Sequence, residues 1–282
     1  MQPDHEVVNA WRDSAPFWEK HREIIRQMFA PVTQALIEDA RIASGHSVLD
    51  IATGPGEPAL TIAAIVGSEG KVLGIDPALE MVDAARRAAD HLGFRNAKFE
   101  VATADRLPFL DETFDAVVSR FGVMFFPSPV EGVREMLRVL KPGRELSLAA
   151  WHLADRNPFF YTLSRVMDRF VDSPPLAPDA PDAFRFAAPG KLRDVLTEAG
   201  ATAPSERLLQ FTIQAPISEE DLWIQRSEMS EKLRKKLAML PREQASEVKH
   251  QALESLREYS TERGMSFPAE VLIISGSKSR PA

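Results

Sequence analysis

Between His46 and His152 short apolar runs alternate with longer stretches in which apolar residues recur every three or four positions. "HSVLDIA", "KVLGID", "AKFEVATA", "FDAVVSR" and "RELSLAAWH" are compact enough to be buried parallel strands. Helical spacing fills the gaps between them: a helix from Glu57 to about Val66, "PALEMVDAARRAADHLG" ending at Gly93, a short helix before "FDAVVSR", and "PVEGVREMLRVLKPG" ending at Pro142-Gly143. Proline in a first turn and glycine just past a last one suit such helices. This alternation predicts crossover units, hence a parallel sheet covered by helices.

The flanks have a different rhythm. Residues 5–45 recur at helical spacing, with Pro16 and Pro31 predicted to start new helices. After His152 come one amphipathic helix, with Phe159, Leu163, Val166, Met167 and Phe170 on its apolar side, and the proline-rich "DSPPLAPDAPDAF", a surface loop. "PGKLRDVLTEAG" and "RLLQFTI" resume the helix–strand order. Two helices follow, about 218–239 with Ser218 as N-cap and 242–260 with Val248, Ala252, Leu256 and Tyr259 on one face. "AEVLIISGSKS" is the terminal strand. The predicted domains are an N-terminal helical lid (1–45), a nucleotide-binding core (46–152), an insert (153–185), and the rest of the core (186–282) with a helical insert at about 216–265.

A net charge of −7 argues against a nucleic-acid partner, since neutralising phosphates dominates that binding. "KLRKK", Lys232 to Lys236, reads as a solvated helix face. There is no cysteine, and the six histidines form no paired ligand motif, so no metal site is expected. The N-terminus lacks the pattern of a signal peptide and no apolar run could span a bilayer. The expectation is a cytoplasmic protein without integral membrane association; a homodimer stays open.

The loop "GPGEPA" fits the glycine pattern of dinucleotide sites, and Asp76 lies 20 residues after Gly56. Its acids suggest a different ligand. Asp50 ends the strand before the loop, Glu57 stands at the helix start, and Asp105 follows the third strand. A pyrophosphate would be repelled where an ammonium would be held. A ligand with an ammonium, a ribose and an adenine uses Asp50, Asp76 and Asp105 together, and S-adenosylmethionine is such a ligand.

"VLDIATGPG", "VLGIDPALEMVDAAR", "ATADRLPFLDETFDAVVSRFGVMFF" and "EMLRVLKPG" resemble, in order and spacing, the class I S-adenosylmethionine-dependent methyltransferases, nearest the ubiquinone/menaquinone biosynthesis branch. The resemblance covers residues 46–152 and, loosely, the last strand. It implies a Rossmann-like α/β fold: a seven-stranded, mostly parallel sheet with the last strand antiparallel, plus helical lid and cap insertions. Ala52 stands where the family loop has its first glycine, and Arg144, in "LKPGR", where the branch has a second glycine. Carried over by position, Ala52, Thr53, Gly54 and Gly56 approach the methionine part and Asp50 binds its ammonium. Asp76 takes the ribose hydroxyls, Pro77 and Met81 pack on the adenine, Ala104 and Asp105 bracket its edge, and Ser119 and Arg120 line the methyl-donor side.

Methyl transfer requires alignment and exclusion of water, with proton removal only for some acceptors. His152, after strand five, is the candidate base, and Arg120 a candidate for an anionic acceptor or an ion pair. Trp11, Phe17, Trp18 and His21 belong to the expected lid. Phe159, Phe160, Tyr161, Phe184, Phe186 and Trp223 suggest a small, partly apolar acceptor of quinol, phenol or amine type. Two other readings remain, an NAD(P)-binding oxidoreductase and a non-catalytic cofactor-binding protein.

Overall fold

In the computed structural model, which describes residues 5–172, 177 and 179–280 (5 and 6 as backbone only), the predicted alternation becomes one mixed sheet. Its strands are β1 (Ser47–Ile51), β2 (Lys71–Asp76), β3 (Ala97–Val101), β4 (Phe114–Arg120), β5 (Leu140–Trp151), β6 (Thr202–Ala215), β7 (Ser260–Thr261) and β8 (Gly264–Ser277). The spatial order is β3-β2-β1-β4-β5-β8-β6, with β7 paired to β8 as a short hairpin. β1 to β5 pair in parallel, and β8 runs antiparallel to both β5 and β6. This is the α/β arrangement the resemblance implied.

The order reverses between β1 and β4, so the carboxyl ends of those strands splay around a crevice. The central strands are buried on both faces: Val48, Leu49, Val117, Val118, Leu148 and Ala149 exclude solvent completely. That is why they read as unbroken apolar runs. The sheet is covered by α3 (Ala30–Asp39), α4 (Ala59–Val66), α5 (Leu79–Leu92), α6 (Pro129–Val139) and α8 (Lys191–Glu198).

The additions gather into a cap. α1 (His5–Lys20), followed by α2 (Arg22–Met28), touches α5 on one side and α9 (Glu219–Met229) on the other. α7 (Pro158–Met167) packs on α11 (Arg242–Leu256) and α10 (Glu231–Ala238). Polar ties hold α1 down. Glu19 accepts from Arg87 of α5 at 2.7 Å, while Glu228 of α9 accepts from Lys20 at 2.7 Å and bonds the His21 ring at 2.7 Å. Arg234 of α10 donates to Ser14 at 2.9 Å and lies over the Phe17 ring. His21 and Phe17 are therefore clasp residues.

Several element boundaries differ from the sequence expectation. Pro16 starts no helix and lies inside α1, whose Ala15 and Trp18 are held by packing. Pro31 does sit in the first turn of α3. The helix expected from Glu57 starts at Ala59, because residues 54–58 form turns. No helix occurs between β3 and β4, where a Thr103–Arg106 bridge folds the chain back. The helix ahead of β5 stops at Val139, and Pro142-Gly143 falls within the long strand β5. The expected 218–239 helix breaks at Ser230, whose hydroxyl accepts from Leu233 N and caps α10. Ser218 caps α9 through Asp221 N, as predicted. The surface-loop expectation for Ser173–Leu176 and Pro178 lies outside the described residues.

Candidate active site

The loop after β1 is built around Asp50. Its side chain is fully buried, and Oδ2 accepts from Thr53 Oγ1 at 2.6 Å and Ala59 N at 3.1 Å. Ala59 opens α4, so a backbone N–H that would have served a phosphate is already occupied by an internal carboxylate. The other oxygen, Oδ1, is buried with no partner among the described residues. Burial pushes the Asp50 carboxyl up to about 7, against the opposing hydrogen bond from Thr53 and the charge of Arg120.

Asp76, at the end of β2, faces the same loop. Its Oδ2 accepts from Gly54 N at 3.1 Å and its Oδ1 from Ala78 N at 3.0 Å, which fixes the carboxylate's plane. Each oxygen retains a further lone pair. Burial raises this acid to about 6, with the two backbone N–H groups opposing. Ala52 adopts φ +58°, a left-handed conformation that favours glycine. Gly54, at φ +54°, has nothing within 4 Å of where a Cβ would stand, so its face of the loop is open toward the cavity. Gly56 serves packing instead: a Cβ there would come within 2.9 Å of Leu60 and 3.4 Å of Ala85.

An enclosed, largely apolar cavity extends from this loop into the cap. Ala52, Thr53, Gly54, Asp76, Pro77 and Met81 line one end with Ala102, Thr103 and Ala104. α1 supplies Trp11 and Trp18, whose rings meet edge-on at 5.6 Å, and Trp11 also meets Phe125 at 5.1 Å. The other end is aromatic. Phe121 stacks on Trp151 at 4.3 Å; Phe29 stands edge-on to both and Phe160 to Trp151, with Phe159 edge-on to Phe29 and Phe160.

The structure brings together most of the predicted residues but turns several away. Asp50 and Gly56 sit beneath the loop, off the cavity wall. Ser119 is also off it: its hydroxyl donates to Ile51 O at 2.8 Å and ties β4 to β1. Asp105 is exposed, because the Thr103–Arg106 bridge carries it outward; Thr103 and Ala104 hold the wall. His152, the candidate base, is not on the wall either. Its Nδ1 pairs with Glu270 of β8 at 2.7 Å, since β5 and β8 are neighbours there. Arg120 does line the cavity, with its guanidinium engaged by Thr33 Oγ1 at 2.8 Å and Glu57 O at 3.3 Å. Desolvation lowers its pKa, offset by Glu57 and Asp50.

Sequence reasoning missed Thr103, Arg22, Gln225 and Arg226, all on the wall. Thr103 carried a signal, being adjacent to Ala104 past a strand end. The other three carried none, since charged and amide residues on amphipathic helices ordinarily face water. Among the described residues no cluster of acids and histidines could hold a metal, and no helix is long and apolar enough to cross a membrane.

A Rossmann-like sheet with a crevice at its switch point, a loop organised by acids, and helices packed over both form the setting of the site. Residues 48–143 match the methyltransferase domain family. The chain is 34% identical to the uncharacterized methyltransferase YcgJ of Bacillus subtilis over 49% of this chain and 50% of that protein. It is 35% identical to the ubiquinone/menaquinone biosynthesis C-methyltransferase UbiE of a Marinomonas species, over 48% of this chain and 52% of that one. The matches thus span about half of these relatives. In three dimensions the YcgJ crystal structure aligns over 88% of this chain and 98% of its own, with a TM-score of 0.57 at 23% identity. The [4+2]-cyclase SpnF aligns over 96% and 97%, with a TM-score of 0.54 at 16% identity. At these identities the structural likeness speaks for the fold alone.

Proposed function

We propose that this protein transfers a methyl group from S-adenosylmethionine to a small, partly apolar acceptor. The observation that carries the reading is the continuous cavity joining the Asp76–Gly54 corner to a water-excluding aromatic chamber. Its residues fit the cofactor. Asp76 presents two anchored oxygens to the ribose hydroxyls, and Pro77, Met81, Thr103 and Ala104 flank the adenine. The open face of Ala52–Gly54 receives the methionine end, where the Glu57 carboxylate on the cavity wall favours an ammonium. When bound, the cofactor supplies an electrophilic methyl group on a positively charged sulfur.

The chain's own part is positioning and exclusion. Trp11 and Trp18 close the site from above, and Phe29, Phe121, Trp151, Phe159 and Phe160 hold an apolar acceptor away from bulk water. With His152 paired to Glu270 off the wall, we assign it no proton-transfer step; it is a strand-pairing residue. Arg120 props Glu57 and Thr33 in place and adds positive potential near the loop. Quinols and phenols suit the aromatic walls best.

Calorimetry tests the reading. S-adenosylhomocysteine should bind with saturation and NADH should give no heat; the reverse result refutes it. The alternative is cofactor binding without methyl transfer. Label from a methyl-labelled cofactor, followed across an acceptor panel, separates the two.

A further inference from the structure

Arg226 lines the cavity from α9 with its guanidinium 4.6 Å from the Phe159 ring centre and 4.8 Å from that of Phe160. Its Nε is buried without a hydrogen-bond partner, and no carboxylate pairs with it among the described residues. The nearest acid along its helix, Glu228, is taken by Lys20 and His21. Beside it Gln225, 1% exposed, has both side-chain polar atoms buried and unpartnered. Buried guanidinium and amide groups left without partners are costly, and such groups are normally satisfied. The two rings cover the arginine partly through cation–π attraction, but they offer its N–H groups no oxygen or nitrogen acceptor.

We propose that Arg226 and Gln225 form the receptor for a carboxylate carried by the methyl acceptor, so that the substrate class is an aromatic or otherwise apolar acid. This rests on the methyltransferase reading above. One cation and one amide match a single negative charge, and a planar carboxylate can take two parallel N–H bonds from the edge of a guanidinium held between rings. Arg120 is excluded from that task by its bonds to Thr33 and Glu57.

The methionine end of the cofactor also carries a carboxylate. Position favours the acceptor: between Arg226 and Arg120 the contacts run through Phe159 and Phe29, leaving Arg226 in the aromatic chamber rather than at the loop. Arg22 of the lid side, with a buried unpartnered Nη1 on the wall, is available to the cofactor instead.

The test uses the full chain saturated with S-adenosylhomocysteine and titrated with 4-hydroxycinnamate and, separately, with its neutral amide. The acid should bind at least roughly tenfold more tightly than the amide, the usual scale for hydrogen bonds to a charged group. Arg226→Met should abolish that preference, leave S-adenosylhomocysteine affinity within about twofold, and raise the melting temperature of the ligand-free protein by removing an unpaired buried cation. Equal binding of acid and amide by the unaltered protein, or binding of neither, overturns the proposal without need of any variant. So does a loss of S-adenosylhomocysteine affinity in Arg226→Met or Arg226→Lys with the acid preference intact, which would hand the arginine to the cofactor. Failure of the unaltered protein to bind S-adenosylhomocysteine would instead overturn the methyltransferase reading.

Discussion

Stability of the ligand-free protein should fall as pH rises toward neutrality, and Asp50 should be the main cause. An unfolded aspartate titrates near 3.8, whereas burial pushes Asp50 up to about 7. Between those values the folded protein keeps a proton that the unfolded chain has released. The contribution is therefore fully present below the unfolded pKa and is lost as pH rises through the folded one. Each pH unit within that window costs about 1.4 kcal/mol, so moving from about pH 5.5 to about 7 removes about 2 kcal/mol. Asp76, raised to about 6, adds to the loss at the acidic end of that range. For a chain of this length the total displaces the melting temperature by roughly 4 °C. Asp50→Asn has no proton to lose, and its amide oxygen can still accept from Thr53 Oγ1 and Ala59 N. Scanning calorimetry of both proteins without ligand, at several pH values across the window, should give a falling curve for the unaltered protein. The Asp50→Asn substitution should flatten it. Parallel curves would refute the reasoning, because they would mean that Asp50 is ionised throughout or that water reaches its Oδ1.

Asp76→Asn should weaken S-adenosylhomocysteine binding by roughly tenfold to a hundredfold, the span expected for hydrogen bonds to a charged group, as read by calorimetry. His152→Ala should leave turnover with a true acceptor unchanged while costing about 1 kcal/mol in urea unfolding, because it removes one partly buried bond to Glu270. A large fall in turnover would restore the histidine to the chemistry. Ala52→Gly should stabilise the protein by about 1 kcal/mol through relief of the left-handed backbone at residue 52, measured as a shift in urea midpoint; an unchanged or lower midpoint would show that Cβ packing outweighs the strain.

The strands and helices of residues 46–152 were legible because each is specified by neighbouring residues. Apolar runs such as "VLDI" and "DAVVS" need burial on both faces wherever they lie, and helical spacing in residues 79–92 needs one apolar side. Boundaries were less legible. Pro16 proved tolerable inside a helix held on both sides by packing, and Ser230 split a helix that periodicity alone continued. At the site, Asp76, Gly54, Pro77 and Met81 could be read from loop chemistry and resemblance. Asp50 was expected to bind the cofactor's ammonium; its carboxylate instead organises the loop from below and does not face the cavity.

The amino-acid sequence by itself determined the order of elements, the acidic character of the loop and, through its motifs, the resemblance to methyltransferase domains. Only the tertiary structure decided which side chains share the cavity. Pairing β5 with β8 takes His152 to Glu270, 118 residues away, and out of the site. Packing α9 on α1 and α11 brings Arg226 against Phe159 and Phe160 from a distant part of the chain. Local periodicity states that a residue is helical and which neighbours share its side. Where that side points depends on contacts between elements distant in the chain, and those contacts set Arg226 and Gln225 on the wall of an aromatic chamber.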